Sequence, residues 1–72
     1  MEINCVKVGK ALRELRGERS REEVAGELQI SPSALAMYEQ GERMPRDNIK
    51  VRIANYYQVP ITIFFTGNAH VM

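Results

Sequence analysis

The sequence predicts an all-α domain built from five short helices. Three observations carry that expectation. Apolar residues recur at helical spacing, as in Val8, Leu12 and Leu15 at i, i+4 and i+7. Helix start and stop residues punctuate this pattern along the chain. The one strand-like run, Ile61 to Phe65, has no second run of comparable strength to pair with.

Each element has its own local signal. The first helix carries the Val8, Leu12, Leu15 stripe and stops at Gly17. Ser20 followed by Glu23 is a capping box, in which each side chain satisfies an exposed backbone amide. It opens a second helix that turns Val24, Ala25 and Leu28 inward and ends near Gln29. Ser31-Pro32 repeats the start signal: the Ser accepts from the free amides, and Pro needs no partner for the N–H it lacks. The third helix runs to about Gln40, with Leu35 and Tyr38 inward and Gly41 as its left-handed cap. Glu42 to Arg46 reads as a loop. Asp47 is placed to cap a fourth helix bearing Ile49, Ile53 and Tyr56 or Tyr57 on one face, broken by Val59-Pro60. The segment Ile61 to Phe65 is expected as a short fifth helix.

Length and composition bound the function. The chain has 72 residues, 44% hydrophobic and 26% charged, which is the composition of one globular domain. We expect a single domain over 1–72, structured from about 6 to 66, with 67–72 as a tail. Cys5 is the only cysteine and His70 the only histidine, so neither a disulfide nor a zinc site of Cys and His can form within the chain. No apolar run approaches the roughly 18 residues needed to span a membrane, and no targeting signal stands at the amino terminus. A cytoplasmic location is expected, with no membrane partner, no cofactor and no small-molecule ligand. Catalysis has no residue support: there is no phosphate loop, and Glu22-Glu23 suits a helix amino end rather than general acid chemistry.

Net charge is only +1, but its distribution is uneven. Lys7, Lys10, Arg13, Arg16, Arg19 and Arg21 form one basic block, with Glu14 and Glu18 among them. Arg43, Arg46, Lys50 and Arg52 form a second, and the stretch from Glu22 to Glu42 between the blocks has no basic residue.

Two short helices, each capped at its amino end and separated by about three residues, make a helix-turn-helix. A small residue, Ala25, stands where the helices would cross, and Val24, Leu28, Ile30 and Leu35 would hold the crossing on the core. The outer face of the second member is then free to enter a major groove. Residues 9 to 65 resemble the Cro and lambda-repressor type of domain, the xenobiotic-response-element family of bacterial regulators. The matching residues are Gly9-Lys-Ala-Leu-Arg-Glu-Leu-Arg16, Glu23-Val-Ala25, Ile30-Ser-Pro-Ser-Ala-Leu35, Tyr38-Glu-Gln-Gly-Glu-Arg-Met-Pro45, Ile53-Ala54 and Val59. Three departures stand out. Gln29 occupies a turn position that often holds Gly, Arg21 stands where Gln is common, and the link from Arg16 to Ser20 is about two residues short.

The resemblance implies a compact five-helix lambda-repressor-like fold and a recognition helix from about Pro32 to Gln40. It also implies operator binding as a homodimer, with double-stranded DNA as the partner. The positions matching the base readers are Pro32, Ser33, Ala36 and Met37, none of which pairs bidentately with a purine. Direct readout is therefore expected to be modest, with Ser31 and Gln40 adding contacts at the helix ends. Arg21, Arg43 and Arg46, helped by Lys50, are expected to hold phosphates or enter a minor groove. Arg16 and Glu39 resemble the family's ion pair between its first and third helices. Phe64 or Phe65, with Ile61 or Val71, is the expected dimer surface. Taken together, these implications describe a repressor of the kind carried by phages and other mobile elements. The rival reading is a protein-interaction module on the same fold, antitoxin-like or bound by an anti-repressor, with little DNA affinity of its own.

Overall fold

The computed structural model describes residues 5–66 and contains five helices: α1 (Cys5–Arg16), α2 (Arg21–Leu28), α3 (Pro32–Glu39), α4 (Asp47–Tyr57) and α5 (Ile63–Thr66). The expected tail and Val71 lie outside the described residues. Helix α1 packs against both α3 and α5, while α2 packs against α3 and α4. The core they share is Val8, Ala11, Leu12, Val24, Ala25, Leu28, Leu35, Ile53, Ala54, Ile63 and Phe64. Fully burying each of the larger of these side chains is worth about 1.5–3 kcal/mol.

Three helices end in the same way, and the endings set the angles between elements. After α2, Gln29 takes φ 62° and the Ile30 amide donates to the Ala25 carbonyl at 3.0 Å. After α3, Gly41 takes φ 77° and the Glu42 amide reaches the Met37 carbonyl at 3.0 Å. After α4, Gln58 takes φ 57° and Val59 donates to Ala54 at 3.0 Å. Each is a left-handed cap that satisfies orphan carbonyls, and Ile30 and Val59 fold back onto the core just beyond it. With Gly17 after α1, at φ 63°, glycine supplies this conformation twice and glutamine twice among the described residues, so the left-handed geometry does not depend on glycine at every position.

The start of α4 differs from expectation by one residue. Arg46 is the capping position and makes no side-chain cap hydrogen bond, while Asp47 is already helical. Met44 and Pro45 account for the shift: they turn into the protein rather than into solvent and draw the loop inward before the helix begins. Asp47 still favours the positive end of the helix dipole, and it pairs with Lys50 at 3.6 Å. At the other end of the bundle, the Arg52 guanidinium donates to the Leu28 carbonyl at 2.9 Å. That bond caps α2 with a cation and fastens α4 to it.

Candidate nucleic-acid interface

Helices α2 and α3 form an angled pair joined by the residues 29–31. The hydroxyl of Ser20 accepts from the Glu23 amide at 3.0 Å, and that of Ser31 accepts from the Ala34 amide at 3.0 Å. The return bond of a full capping box, from the Glu23 carboxylate to Ser20, is not among the hydrogen bonds of the described residues. Val24, Ala25 and Leu35 are buried where the pair meets, so the inner face of α3 is anchored by apolar contact. Pro32, Ser33 and Gln40 are exposed, and Ala36 and Met37 are half-buried at the edge of the outer face. That face has no charged side chain.

The last residue of α3 fixes the pair to α1. Glu39 has a fully buried side chain, a costly place for a charge unless it is paired. Arg16 meets it with two bonds, Nε to Oε2 at 2.8 Å and Nη2 to Oε1 at 3.1 Å. Arg21 adds a third, Nε to Oε1 at 2.9 Å. Arg16 also donates from Nη1 to the Arg19 carbonyl at 2.7 Å, which secures the link between α1 and α2. One carboxylate thus ties together the first three helices. The hydrogen bond to Glu39 raises the Arg16 pKa above its usual value, against the opposing effect of burial.

A second network lies behind this one. Arg19 donates to the Tyr56 hydroxyl at 2.7 Å, and that hydroxyl donates to the Glu27 carboxylate. The bond to Glu27 raises the Tyr56 pKa. The Arg19 guanidinium also lies over the rings of Tyr56 and Tyr57, at 5.4 Å and 5.8 Å from their centroids. Tyr57 has a buried hydroxyl without a hydrogen-bond partner among the described residues, and burial pushes its pKa up to about 12.

Comparison with known proteins agrees with this geometry. A family profile described as helix-turn-helix, HTH_3, matches residues 10–64. The chain belongs to the helix-turn-helix family. Among solved structures, it is similar to the restriction-modification controller protein C.AhdI from Aeromonas hydrophila. That match has 27% identity and a TM-score of 0.73, and covers 85% of this chain and 96% of that one. It also shares its fold with the clp gene regulator ClgR from C. glutamicum, at 17% identity and a TM-score of 0.73, over 93% of this chain and 90% of the other. The search of curated proteins gives no match. This is a DNA-binding regulatory domain with the lambda-repressor-like fold, and not an enzyme.

Within the helix-turn-helix domain, the predicted contact residues fall into two sets. Pro32, Ser33, Ala36, Met37 and Gln40 lie along the outer face or far end of α3, whereas the Ser31 oxygen is engaged by its own helix. Arg43 and Arg46 are exposed in the loop after α3, with no side-chain partner among the described residues. Arg21 is different. Its Nε faces Glu39, which leaves its two terminal nitrogens for anything outside, and the side chain is 35% exposed. Lys50 lies against Asp47 at 3.6 Å and over the Phe65 ring, 5.6 Å from the centroid.

The expected dimer surface leaves open the choice between Phe64 and Phe65, and of the two only Phe65 is exposed. Phe64 is fully buried in the core, because α5 packs that edge onto α1, so it has no surface to offer. Phe65 and Ile61 are 59% and 40% exposed, and Val51 on α4 is a further exposed apolar residue that sequence reasoning passed over. Two other features escaped it. Gly9 lies against the end of α3, so close that an added Cβ would stand 2.5 Å from the Glu39 carbonyl oxygen and 2.6 Å from that of Tyr38. Lys10 and Arg13 line a cleft beside Gln40. Their i, i+3 spacing was the available signal, hidden inside a larger basic block.

No group of three or more potential metal ligands occurs among the described residues. No helix among them is long and apolar enough to cross a membrane.

Proposed function

We propose that the protein is a sequence-specific repressor that binds an operator as a homodimer, one α3 in each of two neighbouring major grooves. The observation that carries this reading is the two-sidedness of α3. Leu35 and Glu39 are buried while Pro32, Ser33 and Gln40 are exposed, so the helix is held from behind with its outer face open. Ser33 and Gln40 supply hydrogen bonds, and Ala36 and Met37 supply apolar contact suited to thymine methyl groups. Arg43, Arg46 and the terminal nitrogens of Arg21 hold phosphates and set the register. The controller protein C.AhdI, similar over most of both chains, supports a regulatory role of this minimal kind. The second copy docks on Ile61, Phe65 and Val51, the exposed apolar residues of α4 and the α5 region.

Selection of bound duplexes from a random pool, followed by titration at two salt concentrations, tests the reading. A two-fold symmetric site with a steep salt dependence is expected. Replacing Arg43 and Arg46 by Ala should weaken binding to every sequence and lower the salt slope by about 0.9 for each phosphate no longer neutralised. Absence of binding at low salt, with a protein captured instead, would make the domain a protein-interaction module.

A further inference from the structure

Most cations of this chain are committed to its own groups, and those that are not gather in one region. Arg16, Arg19, Arg21 and Arg52 donate to carboxylate, hydroxyl or carbonyl oxygens, Lys50 pairs with Asp47, and Lys7 is engaged as well. Lys10, Arg13, Arg43 and Arg46 are exposed, with no side-chain partner among the described residues. Arg43 and Arg46 follow α3. Lys10 and Arg13 stand on α1 with Val6, at i, i+4 and i+7 along one face, and that face forms a cleft of about 240 Å³ with Glu39 and Gln40. The chain leaving α3 passes directly over the first turn of α1: a Cβ on Gly41 would stand 2.8 Å from the Val6 Cα. The partnerless cations of α1 and of the loop therefore flank the same end of the recognition helix.

That end would otherwise repel an anion. Helix carboxyl termini carry partial negative charge, and Glu39 is itself an acid. Arg16 and Arg21 already neutralise Glu39, so Lys10 and Arg13 give the cleft a net positive sign. Gln40 belongs both to the cleft and to the exposed end of α3, and it adds an uncharged donor. The scale fits a duplex. The eight residues of α3 span about 12 Å, close to the width of a major groove. A helix of that length with its amino end in the groove brings its carboxyl end to the sugar-phosphate edge.

We propose that Lys10 and Arg13, with Gln40, form a phosphodiester-binding site that grips the DNA backbone at the groove edge beside the carboxyl end of α3. The site rests on the DNA-binding reading of α3 and extends it to a face of α1. It reads charge and not sequence, and Val6, 66% exposed at its rim, offers apolar contact to a deoxyribose.

The test compares the full chain with Lys10→Gln, Arg13→Gln and the double variant on the selected operator. Each single change should lower the salt slope by about 0.9 and the pair by about 1.8, so that raising salt from about 50 to 200 mM costs the wild type about twelvefold more affinity than the double variant. The base preference recovered from a random pool should stay the same, and the melting temperature should fall by only a few degrees, since neither side chain has a hydrogen-bond partner to lose and only its attraction to the helix carboxyl ends goes with it. Phosphate ethylation should show one backbone position that blocks the wild type and not the double variant. Wild-type binding with an unaltered slope in the double variant would overturn this site and leave the role of α3 standing. An altered base preference would overturn it too. Failure of the wild type to bind any duplex at low salt would remove the parent reading, and this site with it.

Discussion

Glu39→Gln isolates the charge at the junction of α1, α2 and α3, because it keeps the shape and volume of the side chain. Three arginine nitrogens point at the two oxygens of Glu39, at 2.8, 2.9 and 3.1 Å. An amide has one oxygen to offer. In its better orientation it keeps the two bonds at Oε1, now to a neutral acceptor, and turns N–H groups toward Arg16 Nε. Hydrogen bonds to charged partners are worth about 1.5–3 kcal/mol and neutral ones about 1 kcal/mol. Losing one bond and weakening two gives a cost of about 3 kcal/mol. Breaking a buried ion pair costs about 3–5 kcal/mol, and the low end applies because the side chains of Arg16 and Arg21 are 15% and 35% exposed and partly rehydrate. A domain of this size has about 4–11 kcal/mol in total, so the variant folds but melts roughly 10–20 °C lower. Thermal melts followed by circular dichroism, with urea titration at one temperature, measure the loss. Arg16→Ala should cost more than Arg21→Ala, since Arg16 makes two of the three bonds and is the less exposed. A loss below about 1 kcal/mol in Glu39→Gln would show that the three bonds add little over hydration, and the account of this junction would fail.

Three further outcomes follow from single atoms and torsions. Tyr57→Phe deletes a buried hydroxyl with no partner among the described residues, so stability should rise by about 0.5–1 kcal/mol; a loss above 1 kcal/mol would mean that the hydroxyl is satisfied in solution. Its pKa is raised to about 12 from 10.0, so the folded state holds this proton more tightly than the unfolded one. The corresponding stability is fully present below pH 10 and lost as pH rises through 12, and Tyr57→Phe should lessen that alkaline loss in a titration of unfolding free energy. Gly9→Ala forces a methyl group against two carbonyl oxygens of α3 and should cost about 1–3 kcal/mol in a urea titration, with weaker operator binding as α3 shifts. Gln29→Gly relieves a left-handed residue and should gain roughly 0.5–1 kcal/mol in the same assay, while a loss would show that the Gln side chain supports the turn.

The elements that could be read from sequence are those with local causes. Ser20, Ser31-Pro32, Gly17 and Gly41 act within one helical turn of themselves, so their types alone place helix ends, and the left-handed conformation of Gln29 follows from its place after α2. What could not be read depends on residues distant in the chain. Nothing near Arg21 in the sequence shows that its Nε will pair with Glu39, 18 positions away. Phe64 and Phe65 are adjacent on a helix of one turn, too short for periodicity to say which faces inward, and the packing of α5 on α1 decides it. Asp47 yields the capping position to Arg46 because Met44 and Pro45 pack inward, a preference that is tertiary in origin. On α3, Leu35 was legible as an inward residue, but Tyr38 is only half-buried and it is Glu39 that is buried beside it, a charge that local pattern alone would place in solvent.

The self-pairing of Arg16, Arg19 and Arg21 also bears on how such a domain finds its target. Grip on arbitrary sequence grows with the number of unengaged cations, because each phosphate they neutralise releases a counterion. With three arginines engaged internally, encounters with bulk chromosome under the proposed reading are briefer than the basic blocks of the sequence suggest. If α3 reads sequence as proposed, lasting residence waits for a site that fits it, and the chain's internal arginine bonds would then shorten its stay at wrong addresses as well as holding its helices in place.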